Sequence, residues 1–271
     1  MEEHAATRAL AERLFGACTG ALDLLHVYVG DQLGLYGILA AHGPLTAGEL
    51  AERAGIHERY AREWLEHQAV ARILEVRGGA DSGTRRFALP PGHAEALLGA
   101  ESLSLVTPLA LGVVSIAQAL PKVLDAFRTG GGVPYAAYGD DMRRFISRIN
   151  RPMFVNLLAR EWFPGVPGLV ERLDADPPAM VADVGCGTGW SSIAISRGFP
   201  RVTVVGLDLD EVSVVEARAN AASSGVADQV RFGECSRLRR LRLGPHHDRH
   251  RPQHHVRCAG RLKLRALEGK P

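Results

Sequence analysis

The stretch Met180-Val-Ala-Asp-Val184 followed by Gly185-Cys-Gly-Thr-Gly189-Trp190 constrains the fold of this chain more than any other. A short apolar run enters a turn with glycine at every second position, and Ser191 to Arg197 then follow in helical register. That pattern predicts strand, turn and helix. Glycines in such a turn let a ligand approach the backbone closely and leave the first amides of the helix open to it. Arg201 to Leu207 reads as a second apolar strand ending at Asp208, 19 residues beyond Gly189, where an acid can bond ribose hydroxyls. Asp210 is placed to cap the next helix, with Val212, Val215, Ala219 and Ala222 expected inward, and Gly225 to close it. Gln229 to Phe232 begins a third strand, so the unit reads β-α-β-α-β.

Strand, glycine turn and helix open a Rossmann unit. A dinucleotide fingerprint would require glycine at position 190, which is Trp190, so hydride transfer loses ground. The strings Asp183-Val-Gly-Cys-Gly-Thr-Gly189 and Gly206-Leu-Asp-Leu-Asp210 resemble motif I and the second-strand acid of class I S-adenosylmethionine-dependent methyltransferases. The resemblance implies a Rossmann-like α/β domain with S-adenosylmethionine as cofactor. Asp183, Gly185, Cys186, Gly187 and Gly189 would surround its methionine part. Asp208 would hold both ribose hydroxyls, Leu209 would lie beside the adenine, and Glu234 would bond the adenine amine. A cationic sulfonium suits acids without an arginine clamp. The implied activity is methyl transfer to oxygen, nitrogen or carbon of a small-molecule acceptor; no catalytic base and no metal is assigned.

The first hundred residues have a different character. Residues 5 to 29 form one Ala/Leu-rich helix, with Leu10, Leu14, Ala17, Ala21 and Leu25 on one stripe, and Leu33 to Ala41 a shorter apolar segment. Thr46-Ala-Gly-Glu49 is a capping box opening a helix over 47–54. A second helix starts near His57, with Ala61, Trp64, Leu65 and Gln68 inward. Ile73 to Val76 and Arg86 to Leu89 then read as strands around the tip from Arg77 to Thr84, so the whole is a mainly α winged helix. It resembles the N-terminal domain of bacterial and small-molecule methyltransferases. DNA recognition is the alternative, as a transcriptional regulator. However, the helix from His57 carries Glu58, Glu63 and Glu66 against Arg59 and Arg62, and a DNA reader needs surplus positive charge. Specific DNA binding is therefore not expected, and homodimerisation through this domain is.

Residues 93 to 163 read as helical, with a break from Gly130 to Pro134. Within them 102–121 is uncharged, but Pro108, Gly112, Gln118 and Pro121 dilute the run, which favours a buried helix pair over a membrane span. Tyr135, Tyr138, Asn150, Met153 and Trp162 are candidates for an acceptor pocket, with ordinary packing as the plainer alternative. The N-terminus, MEEHAATRAL, lacks the basic stretch of a secretory signal, and Cys18, Cys186, Cys235 and Cys258 form no CxxC pair. A cytoplasmic protein is expected.

The expected domains are 1–100 (winged helix and dimerisation), 101–178 (helical connector), 179–234 (part of an S-adenosylmethionine-binding domain, strand order 3-2-1) and 235–271. This last segment holds eleven Lys/Arg against Asp248 and Glu268, a balance of +9, although the whole chain is only +2. A basic nucleic-acid arm, a metal tract through His246, His247, His250, His254, His255 and Cys258, and an out-of-frame translation compete to explain it. The frameshift is preferred because the pattern changes at the third strand's end; the tail is then expected to be disordered, strands four to seven missing and cofactor binding impaired.

Overall fold

The computed structural model describes residues 2–81 and 83–234, so every expectation for 235–271 lies outside the described residues. The chain divides into two compact units at Ile149 and Asn150. The division falls inside the stretch expected to be a connector, and the reason is packing: Leu158, Phe163 and Leu173 belong to the core of the second unit.

In the first unit, α1 (Glu2–Gln32) is followed by α2 (Leu35–His42), α3 (Ala47–Ala54) and α4 (Glu58–Val70). The hairpin β1 (Glu75–Val76) and β2 (Phe87–Ala88) comes next, then α5 (Pro91–Leu98), α6 (Pro108–Thr129), a 3-10 turn (Tyr135–Tyr138) and α7 (Gly139–Met153), whose last four residues belong to the second unit. The capping box closes as expected: Glu49 donates its amide to Thr46 Oγ1 at 3.3 Å, and Thr46 donates its amide to Glu49 Oε2 at 2.8 Å. The Glu49 carboxylate also accepts two bonds from Arg86, at 2.9 and 3.0 Å, which ties the wing to α3. Ala61, Trp64, Leu65 and Gln68 are the buried face of α4, packed with Leu35, Tyr36, Leu39, Leu50 and Phe87. Each fully buried large apolar side chain there contributes roughly 1.5–3 kcal/mol. Within this core Tyr36 donates its hydroxyl to Gln68 Oε1 at 2.5 Å, while the Gln68 Nε2 donor is buried with no hydrogen-bond partner among the described residues.

One expectation for this unit changes. The uncharged run 102–121 is not a helix pair, because Pro108 sits in the first turn of a single helix, α6, where a missing amide costs nothing. Among the described residues α6 is the one helix long and apolar enough to cross a membrane by length and composition. The apolar stripe along α1 is exposed at Leu10, Leu14 and Leu25, and the buried residues of this helix are Val27 and Gly30.

The second unit holds a π-helical segment (Phe154–Trp162), α8 (Leu169–Asp174), β3 (Met180–Val184), α9 (Trp190–Gly198), β4 (Thr203–Asp208), α10 (Glu211–Ser223) and β5 (Val230–Glu234). The three strands pair in parallel in the order β3-β4-β5, with Val184 opposite Leu207 and Asp208 opposite Glu234. This is the expected 3-2-1 order of a Rossmann-like sheet. Every residue of α9 from Trp190 to Ser196 is buried, so it shows no polar face; a helix covered on all sides has no reason to be amphipathic. The expected inward residues of α10 are corrected. Val212 and Val215 are exposed, and Ser213, Val214, Ala217 and Ala221 are buried. Valines flank the buried line on both sides, so periodicity alone could not choose the face.

Candidate functional site

The turn after β3 is held against the end of β4 by its own backbone. Gly185 and Cys186 donate their amides to Leu207 O at 2.7 and 3.1 Å, and Gly189 donates to Cys186 O at 2.9 Å. Gly187 donates its amide to Asp208 Oδ2 at 2.7 Å, and Asp210 donates to Asp208 Oδ1 at 2.9 Å. Asp208 thus latches the glycine turn to the loop that starts α10, and each of its oxygens keeps a lone pair for a further donor.

The glycines answer two different needs. Gly185 and Gly187 have φ of +82° and +52°, and a Cβ on either would meet nothing within 4 Å. The backbone there requires glycine while open space lies before it, as a ligand cradle would have. Gly189, at φ +85°, is also sterically required, because a Cβ would stand 2.7 Å from the Phe232 ring. The same ring would come within 2.5 Å of a Cβ at Gly206. Phe232 is therefore wedged against both the turn and the central strand.

Asp183 points to the helix-covered side of the sheet and is 6% exposed. Its Oδ2 accepts hydroxyls from Ser191 at 2.6 Å and Ser192 at 2.7 Å. Burial pushes its carboxyl above the usual carboxylate range, the two serine hydroxyls pull it back, and the neighbouring charge of Asp208 pushes it up again. The Cys186 side chain is buried, so the backbone is what that residue offers to the turn's open side. Leu209 is 65% exposed just past the end of β4, and Glu234 is half-buried at the end of β5 beside Asp208. These residues gather at the carboxyl ends of parallel strands, where open α/β sheets take their ligands.

Sequence reasoning missed several members of this neighbourhood. Ser191 and Ser192 stand eight and nine residues beyond Asp183, a signal that could have been read. Asn220 donates its side-chain amide to Thr188 O at 2.9 Å, and the Arg151 guanidinium lies 3.9 Å over the Trp190 ring. Nothing in the sequence pattern marks either contact. Of the candidate acceptor residues, Tyr135 and Tyr138 lie in the first unit, and Asn150, Met153 and Trp162 in the second.

On the winged helix, four arginines are engaged by acids of the same domain. Arg85 donates to both oxygens of Glu66 at 2.6 and 2.7 Å, Arg62 pairs with Glu58, Arg77 with Glu75 and Arg86 with Glu49. Phosphate binding there would have to break those pairs.

Residues 20–98 match the model of the Rv2258c-like winged HTH domain, and residues 181–248 match a methyltransferase domain model. The chain is 26% identical over 207 residues to the O-methyltransferase sol2 of Alternaria solani, covering 74% of this chain and 47% of that protein. Among solved structures it is similar to the mitomycin 7-O-methyltransferase MmcR, with a TM-score of 0.58 at 22% identity over 84% of this chain and 66% of the other. It is also similar to human N-acetylserotonin methyltransferase in complex with SAM, with a TM-score of 0.56 at 19% identity over 83% and 65%. The chain spans 20% to 47% of these curated relatives' lengths and about two thirds of these solved chains.

Proposed function

We propose that this chain, a methyltransferase domain behind a winged helix-turn-helix domain, binds S-adenosylmethionine at the glycine turn and serves methyl transfer to a small-molecule acceptor. The observation that carries the proposal is the latch of Gly187 on Asp208, which sets an acid with spare lone pairs beside a turn open to a ligand. The fit to the cofactor is chemical as well as steric. The donor set is acidic at Asp208 and Glu234, which suits ribose hydroxyls, an adenine amine and a positive sulfonium, and does not suit a pyrophosphate. When bound, the cofactor supplies a methyl already activated on sulfonium.

The chain's own residues bind and orient. The amides of the turn and Asp208 fix the methionine and ribose parts, Leu209 offers an apolar contact for the adenine, and Glu234 a hydrogen-bond acceptor. Transfer of an activated methyl is an in-line displacement, so positioning supplies most of the rate. The acceptor class rests on the resemblance to the O-methyltransferase sol2 and to the mitomycin 7-O-methyltransferase MmcR.

Thermal denaturation of the 271-residue chain tests this. S-adenosylhomocysteine at ten times its dissociation constant stabilises a folded protein by about 1.4 kcal/mol, and NAD is expected to give no shift. Stabilisation by NAD alone, or by neither ligand, would sink the proposal.

The apolar residues exposed on α1, Leu10, Leu14, Phe15 and Leu22, support a homodimer in which a second copy covers that helix. A cytoplasmic setting completes the reading; cysteines without disulfide spacing support it.

A further inference from the structure

We propose that Asp183 is a positioning residue that fixes the first turn of α9 by gathering two serine hydroxyls on one oxygen, acting as a hydrogen-bond acceptor and not as an anion facing the cofactor. The proposal rests on the methyltransferase reading of the same site.

The geometry sets Asp183 beneath the turn. Strand alternation sends Val181 and Asp183 to the covered side of the sheet, and both are almost wholly buried. Ser191 and Ser192 are the second and third residues of α9, and both hydroxyls end on Asp183 Oδ2. The amides at the start of a helix have no intrahelical acceptor, so their direction depends on how the first turn is held. Here it is held from the strand side by the clamp, while the Gly187 latch on Asp208 holds the turn that precedes it. Room for the clamp comes from Gly206, the β4 residue opposite Asp183: a Cβ there would stand 3.0 Å from Ser192 Oγ.

Charge adds nothing to this arrangement. A carboxylate meant for a cationic ligand would be open to it, and this one is 6% exposed with two serine hydroxyls on its Oδ2. Both bonds fall on a single oxygen, so an asparagine whose Oδ1 takes that place can accept both. Removing the carboxylate's charge also removes its repulsion with Asp208.

The experiment compares Asp183→Asn, Asp183→Ala and the double variant Ser191→Ala/Ser192→Ala in the full chain. It measures S-adenosylhomocysteine affinity by calorimetry and amide hydrogen exchange across residues 186–193 without ligand. Asp183→Asn is expected to keep wild-type exchange protection and an affinity within about threefold. The double serine variant is expected to lose about tenfold in affinity, the scale of one or two buried hydrogen bonds, with faster exchange in the turn. Asp183→Ala should follow the serine variant, and if it fails to fold the serine variant decides. Equal loss in Asp183→Asn and the serine variant would mean that the charge itself serves the ligand; wild-type behaviour of the serine variant would mean that the clamp holds nothing. Either overturns the proposal. A wild-type chain that binds no S-adenosylhomocysteine overturns the methyltransferase reading instead, and the exchange comparison still judges the clamp.

Discussion

Gly187 donates its amide to Asp208 at 2.7 Å, across 21 residues of sequence, and so joins the glycine turn to the end of the neighbouring strand. The acid that the sequence marks for ribose recognition is thus already engaged in shaping the turn. Its second oxygen holds the Asp210 amide, and Asp210 in turn caps α10 through Ser213 at 3.1 Å.

Asp208→Ala is therefore expected to remove two things together, the ribose partner and the latch. Hydrogen bonds to a charged group are worth roughly 1.5–3 kcal/mol, so affinity for S-adenosylhomocysteine should fall by about ten- to a hundredfold or more. Cys186→Ala, which leaves the backbone in place, should change it little. Calorimetry on both variants checks the pair, and a Cys186→Ala loss as large as that of Asp208→Ala would contradict the assignment.

Gly189→Ala and Gly185→Ala separate conformational strain from crowding. Both positions have φ above +80°, which costs an alanine about 1–2 kcal/mol. Only Gly189 adds a collision with Phe232, worth about 1–3 kcal/mol more. Urea denaturation should rank Gly189→Ala clearly below Gly185→Ala, and equal midpoints would show that the ring moves aside freely.

The β-α-β-α-β order, the three glycines, the Asp208 position and the capping box were legible because each depends on residues close in sequence. So was the inner face of α4, where Ala61, Trp64, Leu65 and Gln68 keep a clean helical spacing. The inner face of α10 was not, because Val212 and Val215 compete with Val214 as apolar residues and only the sheet decides between them. The serine clamp lay within reach of the sequence but needed the knowledge that Asp183 faces inward. The Asn220 contact with Thr188 spans 32 residues and has no local signature.

Stability should fall on acidification through His67. Its ring stacks on His26 with centroids 3.6 Å apart, and its Nδ1 is buried with no hydrogen-bond partner among the described residues. Burial pushes its pKa below the usual imidazole value, a charge on His26 pushes the same way, and Asp23 opposes both. The unfolded chain therefore takes up this proton first. The stability held by neutral His67 is complete above about pH 6.5 and is lost as pH drops toward the lowered folded value. His67→Gln should flatten the fall in urea midpoint between pH 7.5 and pH 5; an unchanged slope would assign the acid sensitivity elsewhere.

Light scattering on the full chain is expected to give the mass of a dimer, and Phe15→Glu, at a side chain 76% exposed on α1, should shift it toward one chain without lowering the melting temperature. A wild-type mass of one chain would refute self-association through this helix.

A gel shift at two salt concentrations should reveal no sequence-specific complex, since Arg62, Arg77, Arg85 and Arg86 of the wing and its helix are engaged by Glu58, Glu75, Glu66 and Glu49. Any retardation should collapse with salt, as counterion release requires. A complex that survives competitor DNA at the higher salt would favour the regulator reading.

The Phe232 ring sets a constraint on how this sequence can diverge. Because one side chain occupies the space that a Cβ would need at both Gly189 and Gly206, neither glycine can be exchanged alone without strain. A lineage that first trims the ring, to alanine for instance, removes the closest contact at Gly206 and leaves the one with Ser192 Oγ at 3.0 Å, while Gly189 stays barred by its backbone angle. The order in which mutations arrive then decides which are tolerated, and the three positions are expected to interact non-additively when combined.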